Sequence, residues 1–229
     1  MNRNILKIIA MISMLIDHIG AYLFEGHIVF KILGRIAFPV FAFFIAEGMK
    51  YTRSRKKYVI QLFIFACISQ IAYILLRDDF KLNVLFTFLI AILLIYLIEQ
   101  LLKKENHTKL LKMLLIAIAA ISIIIITLVF GDVLEMIDYS LLGVLMVLEF
   151  YFIRSKWKFL AASFIVVLMV LKAILFNGFK LVYMCPLVAI LAIVMLLFYN
   201  NKKGRFNLKY LFYVFYPLHL FVIWLITVL

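Results

Sequence analysis

Apolar runs of about twenty residues, separated by short polar stretches, fill the chain from one end to the other. A helix needs about 20 residues to cross the hydrocarbon core of a bilayer. The runs do not alternate with the period of two that a barrel strand requires, so closed β-barrels are excluded. They predict nine helical spans, at 5–24, 28–49, 58–76, 82–102, 110–130, 134–153, 157–176, 180–199 and 208–228. The run Leu110 to Phe130 carries no charge after Lys112, whereas Glu135, Asp138 and Glu149 interrupt the run at 134–153. The expected fold class is therefore all-α, a polytopic transmembrane helix bundle forming one integral membrane domain over residues 1–229. No internal repeat or low-complexity linker divides it.

Composition agrees. Of 229 residues, 68% are hydrophobic and 15% charged, against roughly 45–50% apolar in soluble domains. The net charge of +13 is explained by loops rather than by nucleic-acid binding. Arg3 and Lys7 precede or open the first span; Lys50, Arg53, Arg55, Lys56 and Lys57 follow the second. Lys103, Lys104 and Lys109, then Arg154, Lys156 and Lys158, then Lys202, Lys203, Arg205 and Lys209 fill every second loop thereafter. The intervening loops hold far fewer cations: Lys31, Arg77 and Lys81 beside Asp78 and Asp79, and Lys172 and Lys180. The positive-inside rule then puts the N-terminus in the cytoplasm and the C-terminus outside. Asp17 and His18 interrupt the first apolar run, and no small-residue cleavage site follows, so it is not read as a signal peptide. Cys67 and Cys185 lie in apolar runs and read as small core side chains.

Ionisable groups within the spans are costly and therefore informative. His18 lies about 20 Å along the first helix, in its outer half. Lys7 is eleven residues earlier, three turns plus about 20°, so the two share one face about 16 Å apart. Lys7 as a snorkelling anchor and His18 as a packing residue are the plain alternatives to a site. Arg35 reaches the depth of Asp17, where it either pairs with that carboxylate, binds an acceptor, or orients His18. Glu47 lies near the cytoplasmic interface and either lines a site or neutralises Lys50 or Arg53. Asn83 and Thr87 share a face, and Asn83 is as well suited to capping. Asp138 and Tyr139 sit in the outer part of the sixth span. Tyr213, Tyr216 and His219 repeat every three residues as one polar stripe in the last span, beside Pro217. No cysteine–histidine cluster suggests a zinc site, and no serine lies near a histidine as in a serine hydrolase. A buried histidine next to a carboxylate suits general-base chemistry, since its pKa lies near working pH.

The runs LKIIAMISMLIDHIG (Leu6–Gly20), GRIAFPVFAFFIAEGMKYTRSRKKY (Gly34–Tyr58), NVLFT (Asn83–Thr87), DYSLLGVL (Asp138–Leu145) and FYVFYPLHL (Phe212–Leu220) resemble TraX-type membrane proteins. The matches cover most of the chain in order, and the first sixty residues are the most specific. That family is associated with N-terminal acetylation of conjugative pilin. It is similar to the wider acyltransferase 3 type group of membrane acyltransferases, which use acetyl-CoA inside and modify acceptors outside. In that group a basic residue and a histidine stand in the first helix at the spacing of Lys7 and His18. The wider group usually has arginine at the first position and about ten spans.

The resemblance implies a multi-pass acetyltransferase of the bacterial cell membrane. Acetyl-CoA is the expected acyl donor, and no metal is expected. Coenzyme phosphates would lie against Lys7, Arg53 and Lys57. His18 would act as general base, with Asp17, Arg35 and His219 orienting it or stabilising the oxyanion. Glu47, Asn83, Asp138, Tyr139 and Tyr216 are the further candidate binding residues. The expected partners are the lipid bilayer, acyl-CoA and a peptide, glycan or lipid acceptor, with no nucleic acid. A transporter or flippase, or a non-enzymatic immunity or assembly protein, remains an alternative reading of the same polar groups.

Overall fold

The computed structural model describes residues 1–77, 80–104, 121, 125, 136–202, 204–205 and 209–229. Its α-helices in chain order are α1 Arg3–Leu23, α2 Ile28–Gly34, α3 Ala37–Tyr51, α4 Arg55–Leu75, α5 Val84–Lys104, α6 Ser140–Phe152, α7 Trp157–Asn177, α8 Ala189–Leu197 and α9 Lys209–Val228. A 3₁₀ stretch, Leu181–Val188, leads into α8. Among the described residues there is no strand, only a lone parallel bridge between Leu82 and Ile137. The chain is an all-helical membrane bundle.

Among the described residues, five helical segments are long and apolar enough to cross a membrane: Arg3–Leu23, Ile28–Tyr51, Arg55–Leu75, Trp157–Asn177 and Tyr210–Val228. Val84–Gln100, Ser140–Phe152 and Leu181–Leu197 are shorter apolar helices. These eight segments fall on eight of the nine expected spans. The ninth expectation, 110–130, lies outside the described residues apart from Ile121 and Ile125.

The second segment is broken. α2 ends at Gly34 and α3 begins at Ala37. Pro39 has no N–H to offer the carbonyl four residues back, and its ring crowds that carbonyl, so the ladder fails at Arg35. The freed carbonyls find other donors. The Ser13 hydroxyl of α1 lies 2.6 Å from the Leu33 carbonyl oxygen and 3.1 Å from that of Gly34. Gly34 also lets α2 approach α1 closely. A Cβ there would stand 2.2 Å from Asp17 Oδ1. The break therefore presents Arg35 to Asp17.

The sixth span is shorter than expected because the helix starts only at Ser140. Thirteen residues reach about 20 Å. Tyr139 and Ser140 carry φ of 62° and 50°, the left-handed region that bulky side chains rarely enter. α6 is buried along almost its whole length, from Ser140 through Tyr151 except Leu141. It packs against α3, α5 and α7, while α3 also packs on α1, α5 and α8. These two helices are the centre of the bundle, and the hydrophobic core is built around Val40, Phe43, Ile92, Met146, Phe150 and Ile193.

Helix ends gather on two faces. At the first, the Met1 ammonium donates to Phe198 O at 2.5 Å, Arg3 N–H to Lys202 O at 2.9 Å and Lys50 Nζ to Phe150 O at 2.7 Å. There too, Arg55 forms an ion pair with Glu99, to which the Tyr151 hydroxyl also donates. At the second, the Leu82 N–H donates to Met136 O and Asp138 N–H to Leu82 O. The basic loops at Lys50–Lys57 and Arg154–Lys158, with Lys202, thus stand on the first face.

Candidate active site

A cavity of about 1100 Å³ lies between the helices and reaches both faces. Its lining includes Lys7, Arg53 and Lys57 toward the first face, and Lys31, Arg77 and Lys81 toward the second. Of the residues expected from the sequence, Lys7, Asp17, His18, Arg35, Glu47, Arg53, Lys57, Asp138, Tyr139 and Tyr216 all line it. Asn83 and His219 do not.

α1 contributes the stripe that runs along the cavity. Lys7, Met14, Asp17, His18, Ala21 and Tyr22 line it in register, as side chains three or four positions apart share a helical face. Lys7 Nζ sits 4.5 Å from the centre of the Phe212 ring and 5.3 Å from that of Phe44. Two aromatic faces therefore hold the ammonium where it opens to the cavity. Glu47 forms an ion pair with Arg3 at 3.6 Å and also lies close enough to Lys50 to favour its charge.

His18 meets α9. Its Nδ1 lies 2.6 Å from His219 Nε2, and the two rings lie edge to edge and nearly coplanar, with centroids 4.9 Å apart. His219 Nδ1 in turn lies 2.7 Å from the Phe215 carbonyl oxygen. A carbonyl can only accept, so His219 carries its proton on Nδ1. Its Nε2 is then the acceptor, and His18 must donate from Nδ1. In the neutral pair this leaves the lone pair of His18 on Nε2. His219 is 5% exposed and reaches the cavity only through His18. Residues next to each other on a helix do not face each other, and Asp17 turns instead to Arg35, at 3.5 Å.

Around this pair, Tyr216 approaches both rings edge-on, with centroids 6.1 Å from His18 and 5.5 Å from His219. Its hydroxyl is buried with no hydrogen-bond partner among the described residues. Tyr139 stacks on Phe38 at 3.8 Å and lies beside Arg35. The Tyr73 hydroxyl donates to Asp138 Oδ2 at 2.9 Å, and Arg77 Nη1 donates to the Tyr73 oxygen at 3.2 Å.

Asn83 does a different job. Its Nδ2 donates to Ala66 O and Gln70 Oε1, and its Oδ1 accepts the Leu85 N–H at 2.9 Å. It caps the start of α5 and ties it to α4. The Thr87 hydroxyl donates to the Asp138 carbonyl at 2.5 Å, which holds the turn before α6.

Sequence reasoning did not pick out Tyr73, Tyr22, Arg77 or Lys172 as site residues, yet all four line the cavity. Tyrosines in an apolar helix read as core, and nothing in their spacing says otherwise. Lys172 reads as a loop-flanking cation but is buried, 8% exposed.

A family model described as "TraX protein" matches residues 2–227. The chain is 28% identical to a protein named "Probable fimbrial assembly protein FimC, serogroup H1" of Dichelobacter nodosus, with 96% of each chain covered. It is 41% identical to the "Uncharacterized protein RP591" of Rickettsia prowazekii (strain Madrid E) over 25% of this chain and 23% of that one. No solved structure matches. With the profile covering nearly every residue, the chain belongs to the TraX family.

Proposed function

We propose that this protein is a membrane acetyltransferase that takes the acetyl group of acetyl-CoA at the first face and delivers it to an amine or hydroxyl reaching in from the second. The observation that carries the reading is the relay Phe215 O to His219 to His18 inside a cavity open toward both faces. The relay fixes which nitrogen of His18 is free. A histidine held in one tautomer with its lone pair toward a cavity is equipped as a general base.

Acetyl-CoA supplies the activated acyl group as a thioester. Lys7, Arg53 and Lys57 bind its phosphates by charge-assisted hydrogen bonds. His18 Nε2 takes the proton from the acceptor N–H or O–H as that atom bonds to the carbonyl carbon. The carbon–sulfur bond breaks, and His18 returns the proton to the departing thiolate. While His18 is protonated, His219 Nε2 shares the charge through the Nδ1–H bond. The Tyr216 hydroxyl and Arg35, both lining the cavity, would donate to the negative charge that develops on the carbonyl oxygen. Membership of a family linked to pilin, and a relative named for fimbrial assembly, support an exported peptide amine as one acceptor class.

In this reading the first face is cytoplasmic and the protein lies in the bacterial inner membrane. The test is turnover of acetyl-CoA by the purified chain in detergent. Acetyl transfer or slow hydrolysis that disappears with His18→Ala supports an enzyme. Absence of any turnover, with substrate moving across proteoliposomes instead, identifies a transporter. Reporter fusions at Lys57 and Lys156 should read cytoplasmic, and an external reading would reverse the donor and acceptor ends.

A further inference from the structure

The cavity extends beyond the polar chamber that holds His18. Part of its wall comes from elements that pack elsewhere: α7 lies on α6, the 3₁₀ stretch and α8, whereas α1 lies on α2, α3 and α9. α7 contributes Val166, Met169, Ala173 and Asn177 to the lining, and α6 contributes Leu142 and Met146. Tyr183 and Pro186 come from the 3₁₀ stretch, and Ala189 from the start of α8. Each set is one stripe. Spacings of three and four keep a helical side chain on one face, and side chains three apart eclipse on a 3₁₀ helix. The three stripes converge on a branch of the cavity. Arg35 stands where the branch meets the polar chamber, since it reaches Asp17 of α1 and also lies beside Tyr139 and Cys185.

The branch is apolar where it is deep. From Asn177 to Val166 is eleven residues, about 16 Å along α7 from the second end toward the middle of the bilayer. Asn177, Lys172 and Tyr183 lie toward the second end. Below them the described lining is Leu142, Met146, Val166, Met169, Pro186 and Ala189, with no charged or hydrogen-bonding side chain among them. α7 carries another apolar stripe, Phe164, Val167, Leu171 and Leu175, which is exposed and turned about 200° from the first. Lipid covers that outer stripe. The inner one faces the cavity and needs a different occupant. Packed interiors keep few voids larger than a water molecule, and an apolar cavity stays dry and takes apolar ligands. Met146 and Met169 are flexible enough to fit an irregular apolar guest.

Resting on the acyl-transfer reading, we propose that the acceptor is an amphiphile whose linear hydrocarbon chain fills this branch while its amine or hydroxyl stands at His18 Nε2. The order of polarity matches such a molecule, with its polar end at the second face and its chain toward the bilayer centre, as a lipid of that leaflet lies. The acetyl group of the coenzyme, arriving from the first end, is too small to occupy the branch.

The probe is dodecylamine bearing a terminal diazirine, with the full-length protein in phosphatidylcholine nanodiscs. After photolysis, mass spectrometry should find the label on Val166, Met169 or Ala173, and unlabelled dodecylamine should displace it where ethylamine does not. Label confined to Phe164, Val167, Leu171 and Leu175 would be ordinary lipid contact and overturns the proposal. Displacement by an apolar peptide amine but not by dodecylamine gives the branch to a peptide and also overturns it. Met169→Trp and Ala173→Phe fill the branch from half-buried positions. Each should lower kcat/KM for dodecylamine acetylation about tenfold and leave that for ethylamine unchanged, which shows that the variant is folded. Unchanged use of dodecylamine by both variants overturns the proposal. Branch labelling in a protein that acetylates no amine or hydroxyl would remove the acyl-transfer reading and keep the hydrocarbon site.

Discussion

The two ends of the cavity hold similar charges for different reasons. At the first, Lys7, Arg53 and Lys57 lie where helices end and basic loops gather, so the chain's topology already favours cations there. Lys7 is cushioned by two aromatic faces and Glu47 is engaged with Arg3. At the second, cations run against the topological preference and are held by structure: a proline-induced break for Arg35, a buried position in α7 for Lys172. Charge at the first end is expected from topology, although burial opposes it at Lys7. Charge at the second end is not expected from topology, and there Arg35 is met by Asp17 and Arg77 by Tyr73. His18 stands between the two, and its tautomer is set by α9.

The comparison breaks most visibly at His18. His18→Ala should lower kcat by about 10²–10⁴, with coenzyme binding changed little, because the phosphates are held at the first end. Steady-state rates with titrated acetyl-CoA check both values. A variant with wild-type kcat would take His18 out of the chemistry and leave the two ends unconnected.

Lys7→Ala should do the reverse. Losing a charge-assisted hydrogen bond costs roughly 1.5–3 kcal/mol, or about ten- to a hundredfold in the KM for acetyl-CoA. Contacts made equally in ground and transition states leave kcat unchanged. Lys7→Arg should keep most of the function. A lower membrane yield with unaltered KM would mean that Lys7 only anchors α1.

His219 touches His18 and not the cavity, so it acts as a positioning residue. His219→Ala leaves the buried Nδ1–H of His18 without an acceptor and frees the ring to take the other tautomer. The cost of about 1–3 kcal/mol for such a group corresponds to a loss of roughly five- to a hundredfold in kcat, with KM for acetyl-CoA unmoved. His219→Gln, whose amide oxygen can accept from Nδ1–H, should recover part of the rate. Equal loss in both variants would make His219 a packing residue.

Much of this was legible in the chain itself. The apolar runs mark the helices, and the eleven-residue interval from Lys7 to His18 puts both on the cavity stripe of α1, because helical period is a local property. The Tyr213, Tyr216, His219 stripe is legible for the same reason. What meets what was not. His18 next to Asp17 in sequence invites a His–Asp pair, but neighbours on a helix diverge by about 100°, and the partner comes from 201 residues away. The break at Arg35 follows from Pro39, yet its consequence depends on Ser13 and Gly34 packing α2 onto α1. The short α6 depends on two left-handed residues, Tyr139 and Ser140, that carry no glycine or asparagine to announce them. Asn83 showed the opposite ambiguity, since capping and binding use the same side chain and only the contacts with Ala66, Gln70 and Leu85 decide.

The smallest expected effect sharpens the comparison most directly, since it measures a carboxylate at each end. Glu47 and Arg3 form a partly exposed pair at 3.6 Å, with side-chain exposures of 12% and 29%. Exposed pairs of this kind contribute about 0–1 kcal/mol and are screened by salt. Glu47→Gln should therefore change Tm little, and removing a negative charge beside the coenzyme cations should lower the KM for acetyl-CoA modestly. That gain should fade as salt is raised. Asp17→Asn at the other end removes the partner of Arg35, which sits in the break of the second span. This pair is no less exposed, at 21% and 25%, but Asp17 also packs against the close approach of α2 at Gly34, so its loss should lower Tm by more than Glu47→Gln does. Thermal unfolding of both variants at low and high salt decides it. Equal, salt-sensitive losses would mean that the helix break adds nothing to the Asp17–Arg35 pair, and the distinction between the two ends would fall.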